Sequence, residues 1–327
     1  LQTALWCARC QVLTPESSFM SAAPFFHCSG SMHAITVCLL AGCALHQMSA
    51  WDVEFFLRLV RQHRGSVSHG TFLRDIVAFG TDRARPFLET MKVVAATGTQ
   101  RDLQLIHDEL GATGISNLYG MTETCGNFSM WFPDDPLEKR CAANGRPQPG
   151  NEIRIADPET GATCAPGRTG EIQMKGHTLT PRYFRRPDAN ASAFTADGWF
   201  RSGDLGAMSD QGELHYIARL KEIVRVGGEN VSPMEVEEVV RDVSGAAQVC
   251  VLAVPHERLG EVAAAVVITQ AEIAWPSVLR EMKARLADFK VPRAVYLTDA
   301  FPVTGTNKVQ RSVLQQQIAR GQLTRVA

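Results

Sequence analysis

No stretch of this 327-residue chain comes near the roughly 18–20 consecutive apolar residues that a membrane-spanning helix needs. Neither sign of charge prevails: 33 basic side chains stand against 34 acidic ones, which removes the usual footprint of nucleic-acid or acidic-membrane binding. There is no low-complexity segment, no internal repeat and no signal-peptide pattern. A disulfide framework is also missing. The nine cysteines are odd in number, scattered and set mostly among apolar residues, which fits a reducing, cytoplasmic compartment. Cys7 and Cys10 form a Cys-x-x-Cys pair, but no second pair stands at metal-site spacing, so they read as ordinary thiols.

The chain does have enough apolar material to bury. Hydrophobic residues make up 45% of it, and its length suits one large or two ordinary domains. Trp51–Arg64 and Gln100–Leu110 place apolar residues at helical spacing, while Lys92–Ala96 and Gly114–Leu118 read as short buried strands. That alternation predicts a parallel sheet. From Asn144 to Gly212 the texture turns to Gly, Pro, Asp and Thr with short alternating runs such as Glu152–Ala156 and Glu171–Lys175, which predicts antiparallel strands. A compact unit follows, with helices near Pro233–Val243 and Pro276–Asp288, strands Gln248–Val254, Val262–Thr269 and Ala294–Leu297, and a last helix after Lys308. The expected fold class is an α/β large domain with a parallel sheet and an antiparallel β portion, plus a small C-terminal α+β domain.

Two strings carry most of the information. Ser202-Gly203-Asp204-Leu205-Gly206 sets a carboxylate in a tight, glycine-flanked turn. The run ARLKEIVRVGGENVSPMEVEEVV, from Ala218 to Val240, joins close-set charges and a Gly-Gly pair to a helix start. There Ser232, Pro233 and Glu235 stand as the N-cap, first-turn proline and N3 partner of a capping box. A rigid helix after a mobile, charged, glycine-bearing loop is how a hinge between domains is written. A third string, Tyr119-Gly120-Met121-Thr122-Glu123, lies upstream, and a fourth, Pro302-Val303-Thr304-Gly305-Thr306-Asn307-Lys308, lies near the end. In this order the four strings resemble the adenylate-forming superfamily of acyl-CoA synthetases, aryl-CoA ligases, peptide-synthetase adenylation domains and luciferases. The resemblance runs over nearly the whole chain.

The resemblance implies ATP-dependent activation of a carboxylic acid as acyl-AMP with Mg²⁺, then transfer to coenzyme A. It implies the C-terminal part of a large domain over residues 1–217, a hinge at 218–221 and a small mobile domain over 222–327. Glu123 is a hard oxygen ligand suited to Mg²⁺, which takes one or two carboxylates besides phosphate oxygens. Thr122 can hydrogen-bond a phosphate, and Tyr119 with Gly120 offers a flat face to adenine. Asp204 resembles the carboxylate that accepts both ribose hydroxyls, a task that favours an ionised acceptor, and Arg219 matches a second nucleotide contact. Lys308 matches the lysine that serves adenylation as a point charge on a flexible loop. Lys221 falls at the hinge, and Gly228 matches a glycine lining the tunnel for the pantetheine arm. His27, in Pro24-Phe25-Phe26-His27-Cys28-Ser29-Gly30, resembles the aromatic at the mouth of the acyl pocket, whose lining is expected around His27, His69–Thr71 and Ala96–Gly98.

The chain departs from the family pattern in several places. Ala96-Thr97-Gly98-Thr99 stands where Gly-Gly-Ala is usual, Arg182 where a glycine before Tyr183 is common, and Ala218 where a glycine precedes Arg219. Asn307 replaces the glycine before Lys308. The family's Ser/Thr/Gly-rich phosphate loop ending in Lys is not found ahead of His27. With the Leu start, this leads us to expect a fragment of a longer synthetase, the alternative being a natural truncation. An acyl-CoA ligase is favoured over an adenylation domain serving a carrier protein, because no carrier or attachment motif follows Lys308. A non-catalytic nucleotide-binding remnant and a luciferase-like oxygenase are the other readings. The identity of the acid is open, and so is a homodimer.

Overall fold

The computed structural model describes residues 1–69, 73–269, 271–305 and 308–327, which fall into two compact units, Leu1–Tyr216 and Ile217–Ala327. The first unit is built on a seven-stranded sheet of β1 (Ser18–Ser21), β2 (Ala44–Gln47), β3 (Val67–His69), β4 (Val93–Ala96), β5 (Gly114–Tyr119), β6 (Ser129–Met130) and β7 (Arg146–Pro147). The order is β2-β1-β3-β4-β5-β6-β7. The five strands β1 to β5 pair in parallel, and β6 and β7 join antiparallel.

Parallel strands need crossovers, and the sequence writes them as amphipathic helices with explicit ends. In the helix Val53–His63 the Asp52 carboxylate accepts from Phe55 N at 2.7 Å, and Phe56, Leu57 and Val60 turn inward. In Gln100–Leu110 a Thr99–Asp102 capping box closes the first turn, and Gly111 caps the last one at φ 72°. Leu103, Ile106 and Leu110 of that helix pack with Val94, Ala96 and Ile115 of the sheet in one core. Each such fully buried aliphatic side chain contributes about 1.5–3 kcal/mol.

A four-stranded antiparallel sheet follows, of β8 (Asn151–Ala156), β9 (Gly170–Gly176), β10 (Phe200–Met208) and β11 (Leu214–Arg219), in the order β11-β10-β9-β8. The expected tight turn around Asp204 is instead part of β10. The register between β10 and β9 shifts between Arg201 and Leu205, where Gly203 takes φ 69°. A glycine in the left-handed region makes a bulge, which re-aims the next side chain without ending the strand.

In the second unit β12 (Val224–Val226), β13 (Glu229–Val231), β14 (Gln248–His256), β15 (Gly260–Ile268), β16 (Ala294–Leu297) and β17 (Thr324–Arg325) form a six-stranded sheet. The loop expected to be mobile at Gly227-Gly228 is the two-residue turn of the β12–β13 hairpin. Both glycines have positive φ, 59° and 96°, as a twist-compatible hairpin turn requires. The helix Pro233–Ser244 begins at Ser232 as expected, but the capping box is not made. The Ser232 hydroxyl donates instead to Ile217 O at 3.3 Å, and the Glu235 carboxylate is taken by Lys290 Nζ at 2.6 Å. No helix among the described residues is long and apolar enough to cross a membrane.

Candidate functional site

The candidate residues of the first unit gather where parallel strands end. His27 follows β1, His69 closes β3, Gly98 follows β4, and Tyr119 is the last residue of β5. Crevices outside the carboxyl ends of parallel strands are where open α/β sheets bind ligands. Gly120 is required by close backbone approach: a Cβ there would lie 2.5 Å from Gly126 O and 2.6 Å from Asn127 Cα. The chain then makes a single 3₁₀ turn, Thr122–Thr124, in which Met121 N donates to Thr124 Oγ1 at 3.0 Å.

Tyr119 and Asp204 come together across 85 positions, the phenol donating to Asp204 Oδ2 at 2.8 Å. Burial first, and the neighbouring carboxylate second, push the Tyr119 phenol well above its usual range. Tyr119 is 6% exposed and its ring stacks on Tyr216 at 5.9 Å, so little of the expected flat face lies open. Asp204 is 3% exposed, its backbone N–H bonded to Ser202 Oγ, which in turn donates to Ile172 O.

Glu123 is half-buried between two contacts from one segment. Its backbone carbonyl accepts from Thr180 N at 2.7 Å, and its Oε1 accepts from the Tyr183 hydroxyl at 2.7 Å. Burial and that bond push the Tyr183 phenol up to about 12. Glu123 Oε2 has no partner among the described residues, so one oxygen of a single half-exposed carboxylate is offered to a cation. That fits Mg²⁺ held jointly with phosphate oxygens. Among the described residues no group of three or more His, Cys, Asp or Glu could hold a metal by itself. Thr122 is exposed beside Glu123.

The His27 string reaches the same place. His27 Nδ1 accepts from Ser29 N at 3.2 Å and caps the short turn Cys28–Gly30. A Cβ on Gly126 would sit 3.0 Å from Cys28 Sγ and 2.4 Å from His33 Nε2, so this string packs directly behind the Tyr119–Glu123 string. Asn117 Nδ2 donates to Gly98 O at 3.4 Å, which draws the loop after β4 to β5. Behind them His33 Nε2 donates to Cys125 O at 2.9 Å, and Cys7 lies 3.5 Å from its Nδ1. Desolvation lowers His33 to about 4, and lowers His69 to about 3.

In the second unit Arg219 ends β11, Lys221 is exposed in the 3₁₀ turn Leu220–Glu222, Gly228 sits at the hairpin tip and Lys308 is exposed. Lys308 N donates to Thr304 Oγ1 at 3.2 Å, and its carbonyl accepts from Thr304 N at 2.9 Å. Gly70 and Thr71 of the expected acyl pocket, and Asn307 beside Lys308, lie outside the described residues. Sequence reasoning passed over Tyr183, Tyr216 and Arg311. The Tyr183 signal was present, since it follows the position where the family carries glycine.

The chain matches the family profile described as AMP-binding enzyme over residues 1–184, and that described as AMP-binding enzyme C-terminal domain over residues 235–308. A methyl-dioxo-octahydro-indenyl propanoyl:CoA ligase of Rhodococcus jostii is 31% identical over 94% of this chain and 59% of its own length. A 2-succinylbenzoate–CoA ligase of Enterococcus faecalis is 29% identical over 91% of this chain and 61% of its own. Among solved structures, ATP-bound MatB of Rhodopseudomonas palustris superposes with a TM-score of 0.87 at 28% identity, over 96% of this chain and 63% of that one. MenE of Bacillus subtilis with ATP and magnesium gives 0.80 at 26% identity, over 96% of this chain and 64% of its own. The chain thus spans about three-fifths of the length of the relatives it matches.

Proposed function

Because this chain belongs to the family of AMP-binding enzymes, we propose that it supplies the nucleotide, metal and CoA contacts of an AMP-forming acid–thiol ligase. The carboxylate oxygen of the acid attacks the α-phosphorus of ATP and pyrophosphate leaves. The CoA thiolate then attacks the acyl carbon, and AMP leaves. The observation that carries this reading is the Tyr119–Asp204 bond, which joins two separate strings of the chain at the end of β5.

In this account Asp204 binds the ribose, sharing its carboxylate with Tyr119, whose fixed proton holds Oδ2 in place. A ribose that reaches it must part the cover that leaves Asp204 only 3% exposed. Tyr119 and Gly120 line the adenine, Thr122 bonds phosphate, and Glu123 Oε2 holds Mg²⁺, which when bound offsets phosphate charge. Tyr183 orients that carboxylate by holding its other oxygen. His27 and Gly98 border the acid. Residues 1–217 belong to the large domain, 218–221 form the hinge with Lys221 at its centre, and 222–327 form the mobile small domain. Arg219 contacts nucleotide, Lys308 serves adenylation, and Gly228 leaves room for pantetheine. The reading places the protein in the cytoplasm and its substrate among medium aliphatic, aryl or alicyclic acids.

Titration calorimetry with AMP tests the site. The chain should bind AMP, and Asp204→Asn should weaken binding about 10- to 100-fold, the worth of a hydrogen bond to a charged acceptor at about 1.5–3 kcal/mol. An unchanged affinity would remove Asp204 from the site, and no AMP binding by the parent chain would remove the site.

A further inference from the structure

Arg182 stands where the family commonly has glycine, and the structure shows what surrounds it. The segment Thr180–Tyr183 is tied to Glu123 at both ends, by Thr180 N to Glu123 O and by the Tyr183 hydroxyl to Glu123 Oε1, each at 2.7 Å. Arg182 therefore lies within the stretch that passes over the candidate metal ligand. The same tyrosine is locked from the other side, its N–H donating to Asn190 Oδ1 at 2.7 Å and its carbonyl accepting from Asn190 Nδ2 at 2.9 Å. The base of the loop is thus held, while Arg182, Phe184, Arg185 and Arg186 all project into solvent.

These arginines are unlike many others of the first unit. Arg85, Arg154 and Arg168 are paired with Glu109, Asp197 and Asp157. Arg182, Arg185 and Arg186 have no acidic partner among the described residues. Among the described residues the one ring contact of the three guanidinium groups is Arg185 over Phe184 at 5.1 Å, and Phe184 is itself 81% exposed. Arg185 also takes φ 52°, a left-handed conformation that a long side chain rarely adopts. Nearby acid comes from Glu123, whose Oε1 is held by the Tyr183 hydroxyl, and from exposed Asp188. Three unpaired guanidiniums on an anchored loop make a fork-rich anion surface, and an exposed arginine reaches several ångströms.

We propose that the Arg182–Arg186 loop is a binding site for the phosphate tail of a nucleotide at the rim of the Glu123 site. The inference rests on the functional reading above. Its chemistry is shared by two sources, the β- and γ-phosphates of ATP and the phosphorylated adenosine end of CoA. The anchoring to Glu123 favours the ATP tail, because Arg182 lies two positions and one position from the residues bonded to Glu123.

Calorimetric titration of the full chain with AMP, ATP·Mg²⁺ and CoA tests the proposal, using Arg182→Gln and the triple Arg182→Gln/Arg185→Gln/Arg186→Gln. AMP lacks the tail and reports both folding and the nucleoside contacts. The triple variant should lose about tenfold or more in ATP affinity and keep AMP within about twofold, as expected for charged hydrogen bonds. Parental ATP affinity should also fall more steeply with salt than AMP affinity. Loss confined to CoA supports the site and assigns it to the CoA end. ATP and CoA affinities that both stay at the parental level overturn the proposal, as does an equal loss of AMP. Failure of the parent chain to bind AMP overturns the functional reading and this inference with it.

Discussion

His33 shows how a single buried side chain ties the candidate site to pH. It is 6% exposed, donates from Nε2 to Cys125 O two positions past Glu123, and is held neutral by burial, with His27 nearby. An unfolded histidine takes up its proton near 6.5, the folded one near 4. Below about 6.5 the unfolded state therefore binds more protons. Stability falls as pH drops, by about 1.4 kcal/mol per unit, until the folded site protonates near 4. His69 acts in the same direction. Urea unfolding at pH 7 and pH 5 checks this. His33→Gln should shrink the difference in stability between the two by about 1–2 kcal/mol. An unchanged difference would mean that His33 is not buried neutral. At this scale Asp204 and Glu123 were legible because each sits in a short string of distinctive composition. Tyr183 was marked only by its place after a family glycine position; its bond to Glu123, across 60 positions, was not legible.

Elements were legible where hydrophobic period and end signals agree. Gln100–Leu110, read from helical spacing, is a helix over those residues, and the structure adds a capping box and a glycine at its ends. The Gly227-Gly228 pair was read as a mobile loop because glycine permits both flexibility and tight turns, and pairing with a partner strand decides between them. The unmade capping box has a similar cause. Ser232 and Glu235 have partners distant in sequence, Ile217 and Lys290, that no local pattern reveals. Further links of this kind run within the second unit from Arg311 to Glu222, Glu237 and Val251. Arg311 opens the helix Arg311–Ala319 and pairs with Glu237 at 2.8 Å and Glu222 at 3.3 Å, beside Lys221, while also donating to Val251 O. Removing one partner of a buried ion pair leaves the other charge uncompensated, at about 3–5 kcal/mol. With a quarter of the Arg311 side chain exposed, we expect Arg311→Met to cost about 2–3 kcal/mol. The reading is the urea midpoint of the second unit. A loss under about 0.5 kcal/mol, the size expected of an ordinary surface change, would mean the pair is only a surface contact.

At the scale of the whole molecule, the division into Leu1–Tyr216 and Ile217–Ala327 falls within β11, just before Arg219 and Lys221. The proposed chemistry asks two things of such an arrangement. Nucleotide contacts must survive from one half-reaction to the next, and the second unit must change what it presents. Only the second half-reaction, passage of the acyl group from AMP to CoA, can proceed without an ATP phosphate tail. It can therefore be measured on this chain by itself. Preformed acyl adenylates of an aliphatic, an aryl and an alicyclic acid are mixed with CoA and the chain, and acyl-CoA is followed by mass spectrometry. Thioester should form well above the uncatalysed rate from at least one of them, and this activity should be lost in Asp204→Asn. A chain that binds AMP yet yields no thioester above background from any of the three would contradict the proposed function, and would leave a nucleotide-binding remnant as the better description.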